Sequence, residues 1–131
     1  MIEAWFNERG YRVVTSKGES RFVYDLPGDI TDNAARLYAA RWMVLNQMLD
    51  AINELRETIE DLDLALYTDS RLIEELKGDI TPNSRYAQNS LRHFIENDYV
   101  KFRRVAFHKC VSTVIDGKLS EPVYTPRLEN T

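Results

Sequence analysis

Cysteine is almost missing from this chain: Cys110 stands alone among 131 residues. A lone thiol excludes a disulfide framework and a cysteine-rich metal site, and it suits a reducing setting. Positive charge is also scarce, with 17 Lys and Arg against 21 Asp and Glu for a formal charge of −4. That balance argues against a dedicated, tight nucleic-acid binder and leaves room for a local basic face. No apolar run approaches the length needed to span a bilayer, so no membrane partner is expected. Met1-Ile2-Glu3-Ala4-Trp5 lacks the basic segment and apolar run of a secretory leader. An intracellular, cytoplasmic protein is therefore expected. Internal repeats and low-complexity segments are missing too. What remains, 44% hydrophobic and 29% charged residues, suits one soluble domain with a sizeable core.

Three short strands open the chain: residues 2–6, 11–15 and 20–24, joined by Gly-bearing turns into a meander. Asp25-Leu26-Pro27-Gly28-Asp29 breaks the pattern as a loop. Thr31 or Asp32 can cap the helix that follows. Along it Tyr38, Trp42, Leu45, Leu49, Ile52 and Ile59 recur at mostly helical spacing. Such a stripe is the core face of a helix packed on a sheet. Glu54, Glu57, Glu60 and Asp61 read as a solvated acidic face.

The apolar run from Asp63 ends in Thr68-Asp69-Ser70 and turns at once into a short helix carrying Leu72, Ile73 and Leu76 on one side. A strand feeding a helix holds a carboxylate at its C-terminal end, where open α/β sheets meet ligands and metals. A plainer role is also available, since Asp is a good N-cap. Gly78 reads as a C-cap, and Pro82 stands where a helix from about Asn83 to Asn97 would begin. Residues 100–107 return as a strand. Residues 110–115 and 119–124 then form a hairpin about Asp116-Gly117. Three antiparallel strands with parallel additions covered by helices make a mixed α/β domain.

Three stretches of this pattern resemble the ribonuclease H family. Thr68-Asp69-Ser70 resembles the family's strand-ending Thr-Asp-Ser. Asp-Asn-Ala-Ala-Arg-Leu-Tyr-Ala-Ala at 32–40 resembles its Asn-Asn-x-x-Glu-Leu-x-Ala-Ala helix start. Lys-Phe-Arg-Arg-Val-Ala-Phe-His at 101–108 resembles its last core strand and loop His. The resemblance covers about residues 1–109 and implies a ribonuclease H-like fold, a mixed five-stranded sheet flanked by helices. Residues 110–125 would be a hairpin extension and 126–131 a loose tail.

Family members cleave RNA strands with two divalent ions held by four carboxylates, because hard cations want oxygen ligands and two ions clamp both the attacking and leaving oxygens. Matched to that set, Asn7 replaces an Asp and Arg36 replaces a Glu, while Asp69 and the auxiliary His108 are kept. Glu8 is adjacent to Asn7, but one step along a strand points to the opposite face. Only Asp116 is near for the fourth carboxylate. The resemblance thus implies vestigial positions Asn7, Arg36, Asp69 and His108. No metal is expected (Asp69 being the one candidate ligand), and Arg36 would pair with Asp69 where metal charge would sit.

The leading expectation is a non-catalytic ribonuclease H-like module that binds nucleic acid or a protein partner, without a cofactor. Arg85, Arg92, Lys101, Arg103, Arg104 and Lys109 face only Glu96 and Asp98 over residues 84–109, with Tyr86, Tyr99 and Phe102 interleaved. Basic and aromatic residues together suit phosphate contact and base stacking, although aromatics at these spacings also belong to cores. A protein partner could instead meet the acidic stretch from Glu54 to Asp63 with a basic surface. The enzyme alternative is a Mg- or Mn-dependent nuclease with rearranged ligands, Asp69, Asp32, Asp25 and Asp116. A third is a structural or assembly accessory domain of viral or mobile-element origin. His108 and Cys110 would share a strand face, for which a buried thiol beside a loop His is the plainer account.

Overall fold

A computed structural model describes residues 1–23, 33–56, 63–109, 114–115 and 118–119. Strands β1 (Ile2–Asn7), β2 (Gly10–Thr15) and β3 (Gly18–Val23) form the antiparallel meander. Strand β4 (Asp63–Thr68) pairs with β1 in parallel, and β5 (Arg104–Lys109) pairs with β4 in parallel. The resulting five-stranded sheet has the order β3-β2-β1-β4-β5. Farther on, β6 (Val114–Ile115) and β7 (Lys118–Leu119) pair antiparallel, and β7 lies against β2 and β3. Cys110, Asp116 and residues 120–131 lie outside the described residues.

Alternation along the strands decides which side each residue faces. Ile2, Ala4 and Phe6, Tyr11 and Val13, and Leu64 and Leu66 all join one buried cluster. Its other half comes from α1 (Ala34–Arg56), whose Trp42, Val44, Leu45, Met48, Leu49 and Ile52 are buried there. Each large apolar side chain so buried contributes about 1.5–3 kcal/mol. Helices α2 (Ser70–Leu76) and α3 (Arg85–His93) complete the layer. On the other face Trp5, Ala65 and Tyr67 form a second, smaller cluster. Among the described residues no helix is long and apolar enough to cross a membrane.

Local chemistry sets the ends. α1 is capped by Asn33, outside the expected pair of Thr31 and Asp32: its Oδ1 accepts from Arg36 N at 3.1 Å. Thr31 and Asp32 lie outside the described residues. α2 closes on Gly78 at φ +86, where Gly78 N donates to Glu75 O and Asp79 N to Glu74 O. This is the paired Schellman arrangement that a left-handed glycine permits. Helix α3 is shorter than its apolar spacing predicts. After His93 the chain widens into a π turn, Phe94–Asp98, closed by Tyr99 N donating to Phe94 O, and then a 3-10 turn, Tyr99–Lys101.

The β1–β2 connection matters most for the site. Asn7 pairs with Gly10, so the turn is only Glu8-Arg9. Gly10 has φ +152, and a Cβ there would lie 2.0 Å from Phe22 O on β3. Only glycine lets the two backbones approach that closely.

Candidate functional site

At the end of β4, Thr68 Oγ1 donates to Phe6 O at 2.9 Å in a buried bond, tying the corner to β1. Asp69 then caps α2, its Oδ1 accepting from Leu72 N at 3.1 Å. The plain capping role is therefore real. Its Oδ2 makes no hydrogen bond and stands 3.6 Å from Arg41 Nη1. Arg41 Nε in turn donates to Glu8 Oε2 at 3.1 Å. One guanidinium thus bridges the hairpin turn and the helix cap.

Two expectations are corrected here. The cation beside Asp69 is Arg41, whereas Arg36 is exposed in the first turn of α1. Five residues of helix turn the side chain by about 140° modulo a full turn, so the two arginines face different ways. Glu8 is also not turned away: β1 ends at Asn7, and a turn residue escapes strand alternation. Asn7 stands two residues beyond the Trp5–Tyr67 pair, level with Asp69, and its Oδ1 accepts from Arg9 N at 2.8 Å.

His108 is the third correction. It lies within β5 instead of a loop, opposite Tyr67. Its ring stacks on Tyr67 at 4.8 Å, Tyr67 stacks on Trp5 at 4.8 Å, and the Arg12 guanidinium lies 5.1 Å from the Trp5 ring centre. This rung crosses four strands in register, and Tyr67 Oη donates to Glu3 Oε2 at 2.9 Å. His108 is held by stacking at a level short of Asp69.

These groups do not fit a two-metal centre. Asp69 spends one oxygen on the helix cap and turns the other to a guanidinium, Glu8 is committed to the same guanidinium, and Asn7 is neutral. Among the described residues no three His, Cys, Asp or Glu come together to hold a metal. Asp25, Asp32 and Asp116 lie outside the described residues.

A buried carboxylate behind the corner escaped notice in the sequence. Glu75 on α2 is 0% exposed, and Tyr38 Oη of α1 donates to its Oε2 at 2.5 Å. Its Oε1 stands 3.8 Å from Arg71 Nε. Burial pushes the Glu75 carboxyl above its usual 4.5, opposed by the Tyr38 hydrogen bond and by Arg71. Burial and the carboxylate push the Tyr38 hydroxyl up to about 12. The signal was legible: Glu75 interrupts the apolar face of Leu72, Ile73 and Leu76. In front of this pair opens a cleft of about 660 Å³, lined by Tyr38, Arg41, Arg71, Asn83, Ser84 and Tyr86 among others.

The six basic positions expected to form one face divide into two groups. Arg85 and Arg92 are exposed on α3, while Lys101, Arg103, Arg104 and Lys109 flank or occupy β5. Arg103 forks onto Asp63 at 2.8 and 3.2 Å, and Lys109 stands 3.8 Å from Glu74. The Arg103 hydrogen bond holds the Asp63 carboxyl below its usual range.

No family model matches the chain, and no curated protein matches it. A solved structure does. The crystal structure of RNase H1 from the halophilic archaeon Halobacterium salinarum NRC-1 superposes with a TM-score of 0.54, covering 82% of this chain and 83% of that one at 15% identity. At that identity the likeness is one of architecture, and the fold of this chain is ribonuclease H-like.

Proposed function

We propose that this chain is a non-catalytic ribonuclease H-like module that binds nucleic acid through the cleft beside Asp69, with no cofactor. The observation that carries it is Arg41, whose guanidinium occupies the space between Glu8 and Asp69. A tethered cation there meets both carboxylates and repels a divalent ion. Arg41 and Arg71 at the cleft wall suit phosphate oxygens, and the half-exposed Tyr86 offers a ring for a base. Arg85, at the start of α3 beside Ser84 and Tyr86, extends the same basic edge. The fold shared with an RNase H1 supports a nucleic-acid role.

The test is fluorescence anisotropy with labelled single- and double-stranded RNA and DNA and an RNA–DNA hybrid, each across a salt series. Binding should weaken steeply as salt rises, because phosphate contacts release counterions. Tyr86→Ala should cost about 1–3 kcal/mol of binding if a base stacks there. No binding at low salt to any of the five probes would remove the nucleic-acid reading. Cleavage of the hybrid with Mg²⁺ or Mn²⁺ that disappears in Asp69→Asn would replace it with the nuclease alternative.

A further inference from the structure

A second cleft, sharing only the Tyr86 ring with the first, lies between α1 and the segment running from α3 into the π turn. It encloses about 350 Å³ and is lined by Asn46, Asp50, Asn89, Ser90, His93 and Asp98, with Leu49 and Tyr86 as its apolar walls. Its character is the reverse of the first: two carboxylates and no cation.

Asp98 decides the chemistry. The residue is only 4% exposed, yet its carboxylate has one hydrogen bond, Asn53 Nδ2 donating to Oδ1 at 3.1 Å. An ionised carboxylate has room for about four hydrogen bonds. Oδ2 accepts none from the described residues and is open to the cleft that Asp98 lines. Neither Asp98 nor Asp50 is ion-paired among the described residues. A carboxylate buried to this degree is costly unless a cation or several donors meet it. The π turn aims it: Phe94 and Asp98, its first and last residues, are both buried toward α1. π turns recur at functional sites.

We propose that this cleft binds a small alkylammonium cation. Asp98 Oδ2 receives the ammonium on the floor, and Asp50 adds a second negative charge at the mouth. An ammonium brings three N–H donors, and the cleft offers acceptors for them in Asp98, the Asn89 amide oxygen and the Ser90 hydroxyl. Asn46 Nδ2, donating to Ser90 Oγ at 3.2 Å and Tyr86 Oη at 3.5 Å, holds two of these walls in place. Leu49 and the Tyr86 ring would cover the alkyl chain. A metal ion is the poorer occupant, since no three metal-binding side chains converge among the described residues.

Titration of the full chain with putrescine, followed by ¹⁵N amide shifts and calorimetry at constant ionic strength, tests the site. Saturable shifts should centre on Asn46, Asn89, Ser90, His93 and Asp98, and neutral 1,4-butanediol should produce none. Asp98→Asn should weaken binding at least tenfold, and Asp50→Asn severalfold. Because a buried substitution can disturb folding, Asn89→Lys provides a second arm. It places a tethered ammonium in the cleft from an exposed position and should weaken putrescine binding at least tenfold. Non-saturating shifts scattered over the acidic surface would overturn the proposal. So would unchanged affinity in a folded Asp98→Asn or in Asn89→Lys.

Discussion

The short helix α2 carries a carboxylate at each end, and the two live in different worlds. Asp69 is 34% exposed in its side chain, caps the helix and shares a guanidinium with Glu8. Glu75, six residues on, is fully buried and depends on one tyrosine hydroxyl. A motif drew attention to the first, whereas desolvation makes the second more consequential. Partly exposed ion pairs are worth about 0–1 kcal/mol, but a buried acceptor stripped of its donor costs about 1–3 kcal/mol and more when charged. Conspicuous spacing and energetic weight are separate properties.

That contrast can be broken by mutation. Tyr38→Phe should have the largest effect, about 1–3 kcal/mol of destabilisation at neutral pH, because Glu75 Oε2 loses its donor. Urea unfolding measures it, and a loss below that of any Asp69 variant would reverse the ranking. Asp69→Ala should cost about 1 kcal/mol, the usual worth of an N-cap, read in the same experiment. A helix that tolerates the change without loss would show Leu72 N satisfied by water alone.

Glu75→Gln should give a smaller effect whose sign follows pH. The folded Glu75 carboxyl titrates above its ordinary 4.5. Between those two values the folded state binds the extra proton, so stability falls as pH rises through that window. The buried charge is thus a liability at neutral pH that protonation removes. Relative to wild type, Glu75→Gln should be more stable at pH 7, and the gain should shrink as pH falls toward the ordinary value. Asp63 and Glu19 act in the opposite sense. Hydrogen bonds from Arg103, and chiefly from Arg12 with Arg21, hold them low, so their modest contribution is lost as pH falls through the depressed values. Melting temperatures of wild type and Glu75→Gln at several pH values isolate the Glu75 share; parallel curves would show that Glu75 does not titrate in the window.

The smallest effects separate the two arginines. Arg41→Ala should cost up to about 1 kcal/mol, and Arg36→Ala should stay within about 0.5 kcal/mol, as for other surface changes. If Arg36→Ala proves the more damaging in thermal unfolding, the assignment of Arg41 to the site is wrong.

The fold was legible because its cues are periodic. Alternation in β1, β2 and β4, the stripe on α1 and the Gly78 stop all act locally and leave marks at fixed spacing. The site was half legible. Asp69 could be found because a strand-to-helix corner is written in consecutive residues. The motif points to Arg36, but the helix phase speaks against it. Tyr38 faces the core side, and Arg36 lies about 200° around the helix from it while Arg41 lies about 60° away. Glu8 was legible too: the expected strand ends at residue 6, so alternation along a strand never applied to a residue in the turn. His108 reads as a loop residue only if the strand stops at Phe107, whereas β5 runs two residues farther.

The Glu8-Arg9 turn has a consequence for how this gene can vary. Hairpin tips are ordinarily the cheapest places to lengthen a chain. This one is locked on both sides: Gly10 is pressed against Phe22 O, and Glu8 is anchored to Arg41. A single inserted codon between Glu8 and Arg9 would carry the carboxylate away from its partner or force Gly10 out of its niche. The neighbouring tip at Ser16-Lys17, equally short but more exposed, has no such tether to the Asp69 corner. Related chains should therefore accumulate length changes at Ser16-Lys17 and conserve the count of residues between Asn7 and Gly10, so that the spacing itself is inherited.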